Sequence, residues 1–160
     1  MDVFNKADFE GQSKVIPTLK NLFSGCTLNI EQHYNTKNPV DIYITATTKN
    51  NTEHYYAIEC KHRNFAHTKF EKYGYIIEHH KVKELMKESQ RGYKPIYLNS
   101  FNDGYMLIWN LEEIDFNECG ETGELTFKKT TVLKDETRTY KLNKITLMKN
   151  QCVWRGKMKL

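Results

Sequence analysis

Long apolar runs are missing from this chain of 160 residues: no stretch is long and apolar enough to cross a bilayer, and Met1-Asp2-Val3 lacks the basic and apolar regions of a secretory signal. A cytoplasmic protein with no membrane partner is expected. Cysteine is sparse, and Cys26, Cys60, Cys119 and Cys152 show neither C-x-x-C nor paired spacing, which favours reduced thiols over disulfides or a structural zinc. There is no glycine-rich phosphate loop, so ATP-driven chemistry is not expected, and no H-E-x-x-H or zinc-finger spacing. The adjacent His79 and His80 would point about 100° apart on a helix and do not readily share one ion. No Ser-His-Asp arrangement can be assigned, and neither repeats nor low-complexity tracts are visible.

What is present suits one ordinary domain, with 39% hydrophobic residues and a core of normal size. The net charge of +4 conceals a segregation. Residues 102–124 hold seven acidic residues and no Lys or Arg, whereas 125–160 hold ten Lys or Arg against Asp135 and Glu136. Such a basic third is either a phosphate-contacting surface or a solvated face balanced by the acidic segment.

Periodicity predicts an opening helix over Asn5–Phe23, interrupted or kinked at Pro17, then a strand over Cys26–His33. Val40 to Thr47 alternates Asp41, Tyr43 and Thr45 against Ile42, Ile44 and Ala46, and an Asn50-Asn51 turn leads to a second extended run over Tyr55–Lys61. After a loop over Arg63–Phe70, Tyr75–Ser89 reads as an amphipathic helix starting near Gly74, its buried stripe being Ile76, Ile77, Val82, Leu85 and Met86. Gly92 ends it. Pro95–Ser100, the Asn102-Asp103-Gly104 turn and Tyr105–Trp109 form a hairpin. Further on, Gly120 and Gly123 mark a turn, and Leu125–Phe127, Thr131–Leu133, Arg138–Leu142 and Ile145–Met148 read as short strands.

The chemistry concentrates at Asp41 and, seventeen intervening residues later, Glu59-Cys60-Lys61. Alternation along a strand puts Glu59 and Lys61 on one face and Cys60 on the other, which disfavours Cys60 as a nucleophile beside them. With Asp41 opening the preceding strand, two carboxylates and an ammonium meet at one end of a hairpin. Two anionic oxygen donors suit a divalent cation, and a lysine beside them suits a phosphate or a water. Tyr55 falls on the Glu59 face as well, although ten tyrosines scattered through strands are more often core residues than base-stacking platforms.

Pro39-Val40-Asp41 followed by Glu59-Cys60-Lys61, set between two helices, resembles the PD-(D/E)xK nuclease superfamily, which includes type II restriction enzymes, archaeal Holliday junction resolvases and phage nucleases. The resemblance covers residues 5–110 as an order of elements and only a handful of residues as a motif. It implies an α/β restriction-endonuclease-like core of helix, three strands, helix, two strands over 1–110, with 111–160 as a basic, β-rich extension of the same domain. It further implies that Asp41 and Glu59 bind Mg²⁺ or Mn²⁺ with the Cys60 main-chain carbonyl, that Glu10 on the first helix assists, and that Lys61 acts on water or phosphate. Lys81, His62, Lys128, Lys129 and Lys134 become candidate contacts to nucleic acid.

The activity so implied is metal-dependent hydrolysis of DNA phosphodiester bonds. A structure-selective nuclease of the same fold, of the kind that often works as a homodimer on branched DNA, is the nearest alternative. A non-catalytic nucleic-acid-binding module is the next, and a protein-interaction domain unrelated to nucleic acid the third.

Overall fold

The structure, a computed structural model, describes residues 3–33, 40–71, 75–114, 120–130, 137–147 and 149–159, with side chains described outside 3–8 and 120–146. Pro39, Gly74, Thr131–Leu133, Lys134 and Met148 lie outside the described residues, and the side chains of Lys128 and Lys129 do too.

Three layers are stacked. The central one is a six-stranded mixed sheet of order β1-β2-β3-β5-β6-β9, where β1 is Thr27–Gln32, β2 Ile42–Thr47, β3 Glu53–Arg63, β5 Lys94–Phe101, β6 Tyr105–Asn110 and β9 Trp154–Lys157. Neighbouring strands run antiparallel except β3 and β5, which are parallel and register Glu59 against Tyr97 and Lys61 against Asn99. A parallel pair needs a long crossover, and β4 (Tyr75–Glu78) with α3 (His79–Gln90) supplies it after the short α2 (Thr68–Glu71). The second sheet, β4-β8-β7, places Thr137–Leu147 between β4 and Gly120–Thr130.

One face of the large sheet is covered by α1 (Val3–Leu22). Val15 and Leu19 from α1 meet Ile42, Ile44, Ile58, Ile96, Leu98, Met106 and Ile108. The other face carries Ala57, Tyr97, Phe101, Leu107 and Trp109 against α3, β4 and Leu147. Because both faces are covered, β5 and β6 are buried along nearly their whole length, with Asn99 and Ser100 buried in β5, while β2 keeps its alternation.

The first helix runs through Pro17 without ending, so of the interruption or kink expected there the interruption does not occur. Pro17 is exposed, so the carbonyl whose helical partner it deletes can turn to water. Asn51 closes the β2–β3 hairpin at φ 60°, a conformation Asn tolerates, with Asn51 N–H donating to the Thr48 carbonyl at 3.0 Å.

Two expectations need correction. Tyr75 to Glu78 is strand, not the first turn of a helix, so Ile76 and Ile77 do not belong to the buried helical stripe. Tyr75 and Ile77 are buried and Ile76 and Glu78 half-buried, a period of two, and antiparallel pairing with Lys144–Leu147 satisfies the backbone. A short apolar run does not by itself reveal whether such a distant partner exists. Likewise Leu125–Phe127 is part of the eleven-residue β7, Arg138–Leu142 and Ile145–Leu147 join in the eleven-residue β8 rather than forming separate short strands, and Gly120 and Gly123 lie within β7, where the register shifts between Glu121 and Glu124, rather than in a turn.

Gly11 sits where α1 meets β3. A Cβ there would stand 2.8 Å from the His62 Cβ, too close for two carbons. Gly11→Ala, which in an open helix would stabilise by about 0.5–1 kcal/mol, is therefore expected to destabilise by roughly 1–3 kcal/mol. Denaturant titration checks the sign, and a stabilised variant would show that α1 can back away from the sheet.

Candidate active site

Asp41 stands one residue ahead of β2 and is tied to β3 twice. Its N–H donates to the Ile58 carbonyl at 3.1 Å, and its Oδ2 accepts from Cys60 N–H at 2.8 Å. A strand residue's N–H and C=O leave on the same side, so the Cys60 carbonyl also points past the end of β2 beside the Asp41 carboxylate. The Cys60 side chain is turned to the α1 face. Strand alternation then puts Glu59, Lys61 and Arg63 together on the face opposite α1.

Glu59 is 8% exposed, with Oε1 3.2 Å from Lys81 Nζ and Oε2 buried without a hydrogen-bond partner among the described residues. Burial, and after it the negative charge of Asp41, push the Glu59 carboxyl up to about 8; Lys81 and Lys61 work against this and do not cancel it. Lys81 remains an ammonium: burial lowers its pKa, but Glu59, joined by Glu84 and Asp41, outweighs that and holds it above the ordinary lysine value. The pair therefore loses its carboxylate proton late while keeping the ammonium. An orphaned, buried carboxylate oxygen next to a second carboxylate is a cation-seeking arrangement.

The site opens into a cavity of about 80 Å³ lined by Glu59, Lys61, Arg63, Glu78, Lys81 and Tyr97, among others. Lys61 is exposed at its mouth. Sequence reasoning brought Asp41, Glu59, Lys61 and Lys81 to one place, and the structure brings the same four together, with Lys81 in an ion pair to Glu59 as well as facing the cavity.

Three other residues fall elsewhere. His62 shares the α1 face with Cys60: its Nδ1 is 2.8 Å from Ser100 Oγ, its Cβ meets Gly11, and burial, followed by Lys14, lowers its pKa. Packed there, it does not join the Lys61 face as a substrate contact, for the same alternation that turns Cys60 away. Glu10 is exposed on α1 and makes no hydrogen bond or ion pair among the described residues. Tyr55 lies at the far end of β3, exposed, with its hydroxyl bonded to Glu53 and its ring 5.7 Å from that of Tyr93.

Arg63 and Tyr97 escaped the sequence reading. Arg63 follows Lys61 by two positions and so had to share its face. Tyr97 had no such signal, because its place beside Glu59 depends on the parallel register of β5.

No family model, curated protein or solved structure matches this chain. Among the described residues, no three His, Cys, Asp or Glu side chains gather into a metal centre, and no helix is long and apolar enough to cross a membrane. Two carboxylates and a carbonyl are a partial shell. They fit a hard cation that keeps several waters or phosphate oxygens as ligands.

Proposed function

We propose that the protein is a divalent-metal-dependent deoxyribonuclease with a restriction-endonuclease-like core. The observation that carries this reading is the end of the β2–β3 hairpin, where Asp41 is bonded to the Cys60 amide and a buried, orphaned Glu59 oxygen shares a face with Lys61. The order helix, three strands, crossover helix, two strands, with β3 and β5 parallel at the sheet centre, supports it.

Asp41 and Glu59, with the Cys60 carbonyl, would hold Mg²⁺ or Mn²⁺. When bound, such a cation supplies Lewis-acid polarisation of the phosphodiester and makes water a stronger acid. Lys61, exposed at the cavity mouth, orients the attacking water or stabilises charge gathering on the phosphate oxygens. Lys81, paired with Glu59 and lining the same cavity, would be placed to contact the phosphate backbone.

The test is incubation with supercoiled, linear, single-stranded and branched DNA in Mg²⁺, Mn²⁺ or chelator. Chelator-sensitive cutting is expected. Salt-sensitive DNA binding without cutting in either metal would leave only a binding module, and no salt-sensitive binding at all would point away from nucleic acid.

A further expectation concerns the C-terminal third. If Lys128, Lys129 and Lys134 contact phosphates, their joint replacement by Gln weakens binding on all sequences alike and reduces the salt slope by up to about 3. Fluorescence anisotropy across a salt series measures this. An unchanged slope returns the region to a solvated face.

A further inference from the structure

Arg63 is a half-buried cation with no carboxylate partner among the described residues. Its guanidinium is held in place by neutral groups. Nε donates to Asn99 Oδ1 at 3.3 Å, Nη2 donates to the Ile76 carbonyl at 3.2 Å, and the Phe70 ring lies 5.2 Å from the guanidinium carbon. Asn99 is fully buried and the Tyr97 hydroxyl donates to the same Ile76 carbonyl at 3.1 Å, so the anchor is itself fixed. A guanidinium carries five N–H donors; these bonds engage two of them and the Tyr97 side chain engages the guanidinium as well, which leaves others free.

Arg63 also lines the cavity beside Glu59, whose volume of about 80 Å³ is several times what one water occupies. Of the cavity's cations, Lys81 is paired with Glu59 at 3.2 Å, whereas Lys61 and Arg63 make no ion pair among the described residues. A partly desolvated cation in fixed orientation, with free donors and no carboxylate bonded to it, is suited to an anionic ligand. Its planar fork matches a phosphate. Two residues along β3, roughly 7 Å, separate Arg63 from Lys61, so both can act on one nucleic-acid backbone.

We propose that Arg63 anchors a phosphate group of the nucleic-acid strand in the cavity next to the cutting site, holding the strand in register for Lys61. This assignment rests on the nuclease reading for the identity of the strand. The phosphate belongs either to a strand terminus or to an internal phosphodiester, and these differ in whether a free end is required.

The test uses the full chain, the parent against Arg63→Gln and Arg63→Lys. Without divalent metal, sodium phosphate is compared with sodium chloride at equal ionic strength in thermal unfolding. The parent is expected to gain a phosphate-specific rise in Tm that Arg63→Gln lacks, since only a bound ligand shifts the parent alone. With Mg²⁺, single-turnover cleavage is followed on circular single strands, 5′-phosphorylated linear strands and 5′-hydroxyl linear strands. Arg63→Gln should raise the half-saturating DNA concentration by about tenfold or more with a smaller change in the saturating rate, and Arg63→Lys should fall between.

Equal Arg63 dependence on circles assigns an internal phosphodiester; dependence confined to 5′-phosphorylated ends assigns a terminal one. Should Arg63→Gln fail to melt cooperatively, Arg63→Lys decides, because it keeps the charge and loses the fork. A folded variant that matches the parent in phosphate response and in half-saturation overturns the inference while leaving the nuclease reading intact. A phosphate response that needs Arg63, in a protein that cuts no DNA, overturns the nuclease reading and keeps the anion site.

Discussion

Glu59→Gln is expected to lose metal-dependent cleavage by roughly 10³-fold and, at the same time, to gain stability relative to the parent as the pH is raised. The loss follows from deleting one of two anionic ligands, worth several kcal/mol of charge stabilisation at the phosphate. The gain follows from the Glu59 carboxyl, whose pKa of about 8 in the fold compares with an ordinary 4.5. Between those values the unfolded chain gives up its proton while the folded one keeps it, so the parent is destabilised as pH rises from about 4.5 to about 8 and no further.

At about 1.36 kcal/mol per pH unit, the effect is at most on the order of 5 kcal/mol. Gln is neutral throughout, and its stability curve lacks this fall. The metal-free parent and variant should therefore have parted by pH 8, with Mg²⁺ restoring the parent alone, because a cation favours the ionised form. Parallel stability curves would show that Glu59 is not held neutral, and undiminished turnover would remove it from the mechanism. Asp41→Ala should lose cleavage to a similar degree with at most part of the gain, since it relieves only the like-charge share of the Glu59 shift and strips the Cys60 amide of its acceptor at a cost of about 1–3 kcal/mol.

Lys61→Ala is the second large effect: cleavage should slow by about 10²–10³-fold with metal affinity and DNA affinity nearly unchanged. An ammonium beside a bound cation is repelled by it, so its contribution must be to water or phosphate oxygens, and its removal touches chemistry more than binding. Lys61 is exposed, so stability should move by no more than about 0.5 kcal/mol, and a loss of activity cannot be blamed on unfolding. Lys61→Arg should not restore the rate fully, because a planar guanidinium does not occupy the compact position of an ammonium and is harder to deprotonate. Single-turnover cleavage at the parental rate in Lys61→Ala would make the Glu59-Cys60-Lys61 match a coincidence.

The sequence by itself determined the features that depend on near neighbours. The alternation from Asp41 to Thr47 is intrinsic to strand geometry, and so is the sharing of one face by Glu59, Lys61 and, unnoticed, Arg63. The Asn51 turn needs only a residue that tolerates positive φ. His62 was legible by the same rule, since alternation already placed it with Cys60.

Only the tertiary structure decided the rest. Tyr75-Ile76-Ile77-Glu78 is a strand because β8, more than sixty residues away, presents a ladder to it. The register of β5 against β3 sets Tyr97 beside Glu59 and Asn99 beside Lys61, where its side chain reaches Arg63. The pairing of Lys81 with Glu59 requires α3 to pack over β3. Above all, the raised pKa of Glu59 belongs to no local motif: a carboxylate on an exposed hairpin would be an ordinary acid. Burial under the crossover and the approach of Asp41 across the hairpin make it an orphaned charge site, because desolvation and like-charge repulsion act through space and not along the chain.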